Sequence, residues 1–341
     1  MPVAFVQPVR KMLRLRPAET LVDRSDLNRL SPALDAFLAG FRDCAIAPTR
    51  RLIEAYVRGQ LGSLPRKSVL PMALEAGIPP RTLQELLSLH RWDDDRVRAL
   101  LQKRVAERDH PPGVAVLLEA FCPKKGLRTP GVQRQAVAGR RPSNGVVFVH
   151  LAFAENGFAC LLDGEVYLPA AWAGDLDRRR RAAVPDGLRY RSRAEIGLEL
   201  LARARSNGVK ISWTVFPSAW AETPGFLEQA GESGRFAVEA TAKAPERGAR
   251  LVPAAPGLQM LTNAAGATPA ELLDLWRLRE RTAGRMAASK AEIGHDQFEV
   301  RTWCSLKRHL ILSMASLLFL AEARERAALP SSPALPLRRA R

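Results

Sequence analysis

The hydrophobic pattern of this chain changes at a break formed by His110, Pro111, Pro112 and Gly113. Before the break, apolar residues recur every three or four positions, which is the spacing of one helix face. After it, apolar residues alternate with polar ones or run together, as they do in strands. Because helices and strands bury their apolar faces in different layers, we predict an α+β architecture. A helical domain over residues 31–109 is followed by an α/β domain over residues 113–325.

The second part of the chain is expected to contain a mixed five-stranded sheet flanked by helices. An Asn-Gly pair at residues 156–157 lies between two apolar runs and is a strong signal for a β-hairpin. A helical pattern separates the third predicted strand from the fourth, as in α/β folds. The five predicted strands are residues 114–118, 146–153, 158–168, 209–216 and 235–240.

Three stretches lack the periodicity of a packed element. Residues 1–30 are basic and contain proline, and we interpret them as a flexible arm. Residues 241–269 are rich in Ala, Gly and Pro and are expected to be an insertion or linker, and residues 326–341 form a basic tail. The apolar run at residues 310–321 is too short to span a bilayer and predicts a buried helix. No signal peptide or membrane association is expected.

The charge balance favours a polyanionic partner. The 341-residue chain has 52 basic and 35 acidic residues, which gives a formal net charge of +17. An excess of this size is typical of proteins that bind nucleic acid. The alternative is an arginine-rich protein from a GC-rich genome, since charge informs on association and not on fold. The four cysteines show no metal-ligand spacing, so a zinc site is not predicted, and they suit a reducing cytosol.

Several short motifs occur in a characteristic order. The words Pro-Lys-Lys-Gly at residues 123–126 and Gly-Val-Gln-Arg-Gln at residues 131–135 follow the first predicted strand, and Phe-Glu-Val-Arg occupies residues 298–301. Together with their spacing, they resemble the DDE-type transposases of bacterial insertion sequences. The resemblance covers approximately residues 35–320. It implies that residues 31–109 form a helical DNA-binding domain and that the α/β domain has a ribonuclease H-like fold. It also implies double-stranded DNA as partner, and a bacterial, cytoplasmic protein associated with the nucleoid.

The resemblance also implies a catalytic site, and this chain departs from it. Transposases of this type hold two divalent metals with three carboxylates, because hard Mg²⁺ prefers oxygen ligands. Leu118 stands where the first aspartate is expected and Pro217 where the second is expected. Glu299, in a late helix, is the only retained acid. Leu118 and Pro217 should lie on adjacent parallel strands with Glu299 on a helix packed close by. No cofactor is predicted, and Mg²⁺ would be used only if the site were functional.

Other acids are considered as substitutes for the lost ligands. Glu119, Asp163 and Glu222 lie near the relevant elements. Adjacent side chains on a strand point to opposite faces, so Glu119 cannot replace a ligand at position 118 without a shift in register. Glu299 itself has an alternative role as a surface glutamate paired with Arg301 or Arg308.

Basic residues near the strand ends are predicted to contact phosphates, and their alternative role is that of a solvated charge run. The five histidines are widely spaced and suggest no ligand cluster; for His309, helix packing is an equal alternative to phosphate contact. The predicted DNA contacts are Lys124, Lys125, Arg134, Arg178, Arg179, Arg301, Arg308 and His309.

Three functions follow from these observations. The first is a transposase-family DNA-binding protein that has lost cleavage, with a homodimer possible in principle. The second is an active transposase with a rebuilt metal site. The third is a protein-interaction scaffold with no role on DNA. Salt-dependent DNA binding separates the third from the others, and metal-dependent nicking separates the first from the second.

Overall fold

The structure of the chain is a computed structural model, and it describes residues 24–136, 141–240 and 248–326. Five helices precede the first strand: α1 (Arg24–Ala39), α2 (Ala47–Leu61), α3 (Val69–Glu75), α4 (Pro80–Ser88) and α5 (Asp94–Ala106). Helix α1 begins before the position expected from the sequence and contains Pro32. The predicted N-terminal arm up to residue 23 and the predicted tail from residue 327 lie outside the described residues.

The strands and the remaining helices follow in an order close to the predicted one. The strands are β1 (Gly113–Pro123), β2 (Gln133–Gln135), β3 (Ser143–Glu155), β4 (Phe158–Val166), β5 (Ile211–Val215), β6 (Phe236–Glu239), β7 (Arg250–Ala255) and β8 (Leu258–Thr262). The helices are α6 (Ala170–Ala173), α7 (Leu176–Arg181), α8 (Arg193–Ser206), α9 (Phe226–Glu232), α10 (Pro269–Glu292) and α11 (Trp303–Glu325).

All these strands belong to one mixed sheet. Its order is β2-β3-β1-β5-β6-β8-β7, with β4 paired to β3. Strand β1 is antiparallel to β3 and parallel to β5, and β5 is parallel to β6. The described sheet therefore has eight strands, and the predicted count of five was too low. The missed strands are the three-residue β2 and the hairpin β7–β8, which falls inside the Ala/Gly/Pro-rich stretch and whose β7 contains Pro253.

The side chains of alternate residues of β1 pack on opposite faces of the sheet. Val116 and Leu118 pack with Trp213 and Val215 in an apolar cluster to which α10 contributes. Leu117 points to the opposite face, towards α8. There, a Cβ atom on Gly197 would lie 2.4 Å from Trp220 and 3.4 Å from Leu117. The missing side chain at Gly197 thus permits the close approach of α8 to the sheet.

Helix α11 is buried on all sides over most of its length, and its polar residues are not gathered on one face. It contacts β4 on the sheet and α1, α2, α4 and α5 in the helical part. By length and composition it could cross a membrane, but 89% of its most apolar window is buried inside the protein. A helix without a polar face belongs in a core. The prediction of a buried helix at residues 310–321 is confirmed, and the helix is longer than that run.

We predict opposite effects for two glycine-to-alanine substitutions. Gly197→Ala should lower the free energy of unfolding by about 1–3 kcal/mol, because the new methyl group overlaps the Trp220 ring. Gly284→Ala, at an exposed position of α10 with no atom within 4 Å of the new Cβ, should raise it by about 0.5–1 kcal/mol through helix propensity. Urea unfolding of both variants checks this, and equal effects would contradict the packing described for α8.

Candidate active site

Leu118 and Pro217 follow the last paired residues of two neighbouring parallel strands. Val116 on β1 is paired in register with Val215 on the parallel strand β5. Leu118 is two residues further along β1, and Pro217 is two residues beyond Val215, at which β5 ends. Leu118 is 7% exposed within the apolar cluster, and Pro217 precedes the 3-10 turn Ser218–Glu222. The strands β1 and β5 are adjacent and parallel as expected, whereas Pro217 lies beyond the end of β5 and not on the strand.

Glu299 is not on a helix, and that expectation is wrong. It lies in the irregular segment between α10 and α11, because α11 begins only at Trp303, with Thr302 as its N-cap. The Thr302 hydroxyl accepts a hydrogen bond from the Ser305 amide at 3.3 Å. The Glu299 side chain is 56% exposed and forms an ion pair with Arg66, which is neither of the partners considered from the sequence.

The titratable groups near Leu118 are an imidazole and an ammonium. Leu118 lies directly across from His150 on β3. Burial and the Lys290 ammonium lower the pKa of His150 to about 3. The Lys290 Nζ donates to the Phe121 carbonyl on the same strand as Leu118. A divalent cation beside Leu118 would therefore meet a lysine, a neutral imidazole and apolar groups in place of carboxylates.

Lys124 completes this basic environment. Its Nζ donates to the carbonyls of Asp296 at 2.9 Å and Phe298 at 2.8 Å, and it lies 3.3 Å from the Phe298 ring centroid. Burial lowers the pKa of its ammonium. Lys124 thus fixes the segment before α11 against the end of β1, and its donors are used within the protein.

Glu119 is held on the opposite face of the sheet from Leu118. Its Oε1 accepts a hydrogen bond from Trp220 Nε1 at 2.7 Å, and its Oε2 accepts one from the Arg193 guanidinium at 2.7 Å. Its carboxylate therefore ties β1 to α8 and to the turn after β5. The alternation of side chains along β1 prevents it from replacing a ligand at position 118.

Asp163 is a fully buried structural anion. It pairs with Leu151, the β3 neighbour of His150, so it lies on the face opposite His150. Its Oδ2 accepts hydrogen bonds from Arg203 Nε at 2.7 Å and Gln102 Nε2 at 2.8 Å. Arg98 lies 3.8 Å away. These contacts join β4 to α5 and α8. The Asp163 carboxylate is therefore used within the fold and does not act as a substitute metal ligand.

Glu165 and Glu222 complete the set of nearby acids. Glu165 belongs to the same ionic cluster as Asp163, and burial raises the pKa of its carboxyl group, opposed by nearby arginines. Sequence reasoning missed it, although an acid inside an apolar strand was a visible signal. Glu222 ends the 3-10 turn after Pro217 and is exposed. Among the residues that the structure describes, no group of three or more His, Cys, Asp or Glu could hold a metal ion.

The predicted DNA contacts divide into exposed and buried side chains. Lys125, Arg134 and Arg301 are exposed. Arg178 is half-buried, with its guanidinium 4.0 Å from the Trp172 ring centroid and a hydrogen bond to the Val132 carbonyl.

Three predicted contacts are buried. Arg179 donates to carbonyls of its own loop, among them that of Pro185 at 2.7 Å. Arg308 donates to the His90 carbonyl at 2.8 Å, and His309 is 0% exposed. Their hydrogen-bonding groups stabilise the fold, and burial leaves these side chains no free surface for the predicted phosphate contact.

Comparison with known proteins gives one family. The family model described as DDE superfamily endonuclease matches residues 37–260. No curated protein matches the sequence. Among solved structures, the piggyBac transposase in a synaptic complex with hairpin DNA, determined by cryo-EM, is similar over 88% of this chain and 73% of its own, with a TM-score of 0.38 and 10% identity. A TM-score this low is no basis for inferring function.

We predict that Asp163 acts in stability. Asp163→Asn should lower the free energy of unfolding by about 3–5 kcal/mol, because it removes the buried counter-charge of Arg98 and Arg203. Asp177→Asn is the matched control, since Asp177 is 79% exposed and its ion pair with Arg180 is on the surface. The control should change stability by less than about 0.5 kcal/mol. Denaturant titrations measure both, and a small effect at Asp163 would contradict its structural role.

Proposed function

The chain belongs to the DDE superfamily endonucleases, and from that premise we propose that it is a transposase-like DNA-binding protein that has lost its cleavage centre. The observation that carries the proposal is the pair Leu118 and Pro217. By the resemblance they stand where the family's first two metal-binding aspartates are expected, one on β1 and one just after the neighbouring parallel strand β5. Leucine and proline offer neither charge nor a side-chain oxygen.

The electrostatics of the site support the same conclusion. Two divalent metals carry about four units of positive charge, which three carboxylates must offset. Here the third acid, Glu299, is paired with Arg66. Lys290 acts on His150, the β3 partner of Leu118, and both Lys290 and Lys124 act on His295. The residues present do not fit Mg²⁺ or any other divalent ion in this place. We therefore derive no cleavage chemistry for the chain.

The strand order supports the proposal of a ribonuclease H-like fold. The path β4-β3-β1 is antiparallel, β1-β5-β6 is parallel, and α8 connects the two parts. These are the five strands expected from the sequence. In this proposal, β2 and the hairpin β7–β8 are additions at the margins. The helical domain over residues 31–109 and the α/β domain over residues 113–325 remain part of the proposal, and a homodimer remains a prediction.

A cluster of exposed cations offers a surface for DNA. The loop after β1 contacts the segment before α11, since the Thr129 hydroxyl donates to the Val300 carbonyl at 3.3 Å. It also contacts the start of β3, since Asn144 Nδ2 donates to the Lys124 carbonyl at 2.6 Å. These contacts bring several exposed basic residues to one side of the sheet. We call this set the basic edge: Lys125, Arg128, Arg134 and Arg301.

The basic edge agrees with the excess of positive charge. Each phosphate that it neutralises would release a counterion, so binding should depend steeply on salt and only weakly on sequence. Of the predicted contacts, Lys125, Arg134 and Arg301 keep this role in the proposal. Lys124, Arg178, Arg179, Arg308 and His309 support the fold instead.

We predict that the basic edge sets the salt dependence of DNA binding. Replacing Lys125, Arg134 and Arg301 together by alanine should reduce the slope of log Kd against log salt by about 0.9 per lost phosphate contact, close to 3 in all. Fluorescence anisotropy with a labelled duplex over a salt series measures this slope.

The matched control removes the same charge elsewhere. Lys210, Arg277 and Arg281 are exposed, with Lys210 just before β5 and the two arginines on α10. Replacing these three by alanine should leave most of the slope unchanged. Equal losses in both triple variants would show that net charge alone drives binding. No binding to duplex DNA at low salt would favour the protein-interaction scaffold.

We also predict that the unmodified protein does not cleave DNA. Supercoiled plasmid should stay intact with Mg²⁺ or Mn²⁺, because the metals have no ligand set. Leu118→Asp combined with Pro217→Asp should remain inactive, since Glu299 is turned towards Arg66 and the field beside Leu118 stays positive. Metal-dependent nicking by the unmodified chain, lost in Glu299→Ala and absent from a mock preparation, would establish a rebuilt site and overturn this account.

A further inference from the structure

Three histidines that are distant in sequence meet in the core. His150 lies on β3, His295 in the segment between α10 and α11, and His309 on α11. They are 2%, 1% and 0% exposed. The ring centroids of His150 and His295 are 5.0 Å apart, and those of His295 and His309 are 6.0 Å apart. We call these three residues the histidine cluster.

The hydrogen bonds of His309 fit a neutral ring. Its Nε2 lies 3.0 Å from the His295 carbonyl, which can only accept, so Nε2 carries the proton and donates. Its Nδ1 then accepts from the Tyr56 hydroxyl at 2.8 Å. Tyr56 belongs to α2, so this arrangement links the helical part of the chain to α11 and to the segment before it. A second proton on His309 would reverse this bond, so that Nδ1 donates to the Tyr56 oxygen and the buried Tyr56 hydroxyl loses its acceptor.

His150 and His295 differ from His309 in their lack of hydrogen bonds to the ring nitrogens. Neither ring nitrogen of either residue has a hydrogen-bond partner within the described part of the chain. Their rings pack against aromatic groups: His150 stacks on Phe148 with centroids 5.8 Å apart, and Phe148 also meets Phe298. A neutral imidazole tolerates such surroundings, whereas an imidazolium would be a buried charge without a counter-charge.

The charges around the cluster also disfavour protonation. Lys290 on α10 acts on His150, and both Lys290 and Lys124 act on His295. The neighbouring Leu118 on β1 and Gly164 on β4 contribute no charge, and Tyr56 is the titratable group that faces the cluster from α2. The carboxylates in this electrostatic set, those of Asp296 and Glu299, act on Lys124. The same positive field makes the cluster a poor metal site, although imidazoles are common ligands.

We propose that the histidine cluster is an acid-released latch, which holds α2, α11 and the segment before α11 on the sheet at neutral pH and opens as the pH falls below about 6. In the closed state all three rings are neutral. In the open state they reach water and take up protons. Because the cluster joins α2 and α11 to β3, opening would separate the helical part from the sheet. The latch lies beside Leu118, the position of a metal ligand in the family.

The direction of the effect follows from proton uptake. The fold lowers the pKa of His150 to about 3 and of His309 to about 4, and that of His295 well below its usual range, mainly through burial. Free histidine has a pKa of about 6.5, so the open state binds more protons once the pH falls below that value. At pH 5, each histidine should raise the opening constant about 30-fold relative to pH 8.

The first test compares acid sensitivity in matched variants of the full chain. His150→Leu with His295→Leu keeps the core apolar and removes two titrating groups. His90→Gln with His110→Gln alters the two remaining histidines, which lie outside the cluster. Between pH 8 and pH 5, the unfolding constant of the wild type and of the His90/His110 variant should increase about 1,000-fold more than that of the leucine variant. The same increase in all three proteins would overturn the proposal.

The second test uses the wild type alone and does not depend on how the variants fold. Histidine Cε1 proton resonances from the cluster should not titrate while the protein stays closed. Hydrogen exchange, corrected for intrinsic rates, should show protection of α11 and of residues 293–302 falling between pH 7.5 and pH 5, while β7 and β8 stay protected. Titration of all five histidines near pH 6.5 with α11 still protected would overturn the latch.

Discussion

The burial of α11 is the constraint on which the rest of the structure depends. This helix has no polar face, and it fills the space between the sheet and the helices that precede it. Burying a helix on all sides requires partners on all sides, which is why the two parts of the chain share one core. The few polar groups on α11 are therefore paired across that core. Ser313 and Ser316 meet Gln60 of α2, and Glu322 meets Arg104 of α5.

The same packing accounts for the state of the candidate active site. With α11 beginning at Trp303, the preceding segment must cross the end of β1, and Lys124 holds it there through two carbonyls. Phe298 and His295 then point inward, while Glu299 points to solvent and meets Arg66. The space beside Leu118 contains the rings of His150, Phe148 and His295, and the ammonium groups of Lys290 and Lys124 act on these histidines. Under the proposed function, loss of the family's acids and closure of the site are two aspects of one arrangement, in which apolar packing and positive charge stand in place of a metal centre.

Sequence reasoning recovered the elements whose signals are local. The break at residues 110–113, the Asn-Gly hairpin and the five strands of the main path follow from periodicity and turn chemistry. It failed where tertiary contacts decide. The strand β7 contains Pro253 and is stabilised by pairing with β8, which periodicity does not reveal. Glu299 was predicted to lie in a helix, but α11 begins after it, because the Thr302 cap starts the helix at Trp303. The histidine cluster joins residues separated by up to 159 positions, and no sequence spacing marks it.

The central claim is that this member of the DDE superfamily has no metal site beside Leu118. Anomalous diffraction from crystals soaked in Mn²⁺ tests it most directly, because the signal reports the ion itself and does not depend on activity or DNA. The account predicts no anomalous peak within ligand distance of Leu118, Pro217 or Glu299. A peak there, coordinated by carboxylates that have moved from the positions described, would contradict it.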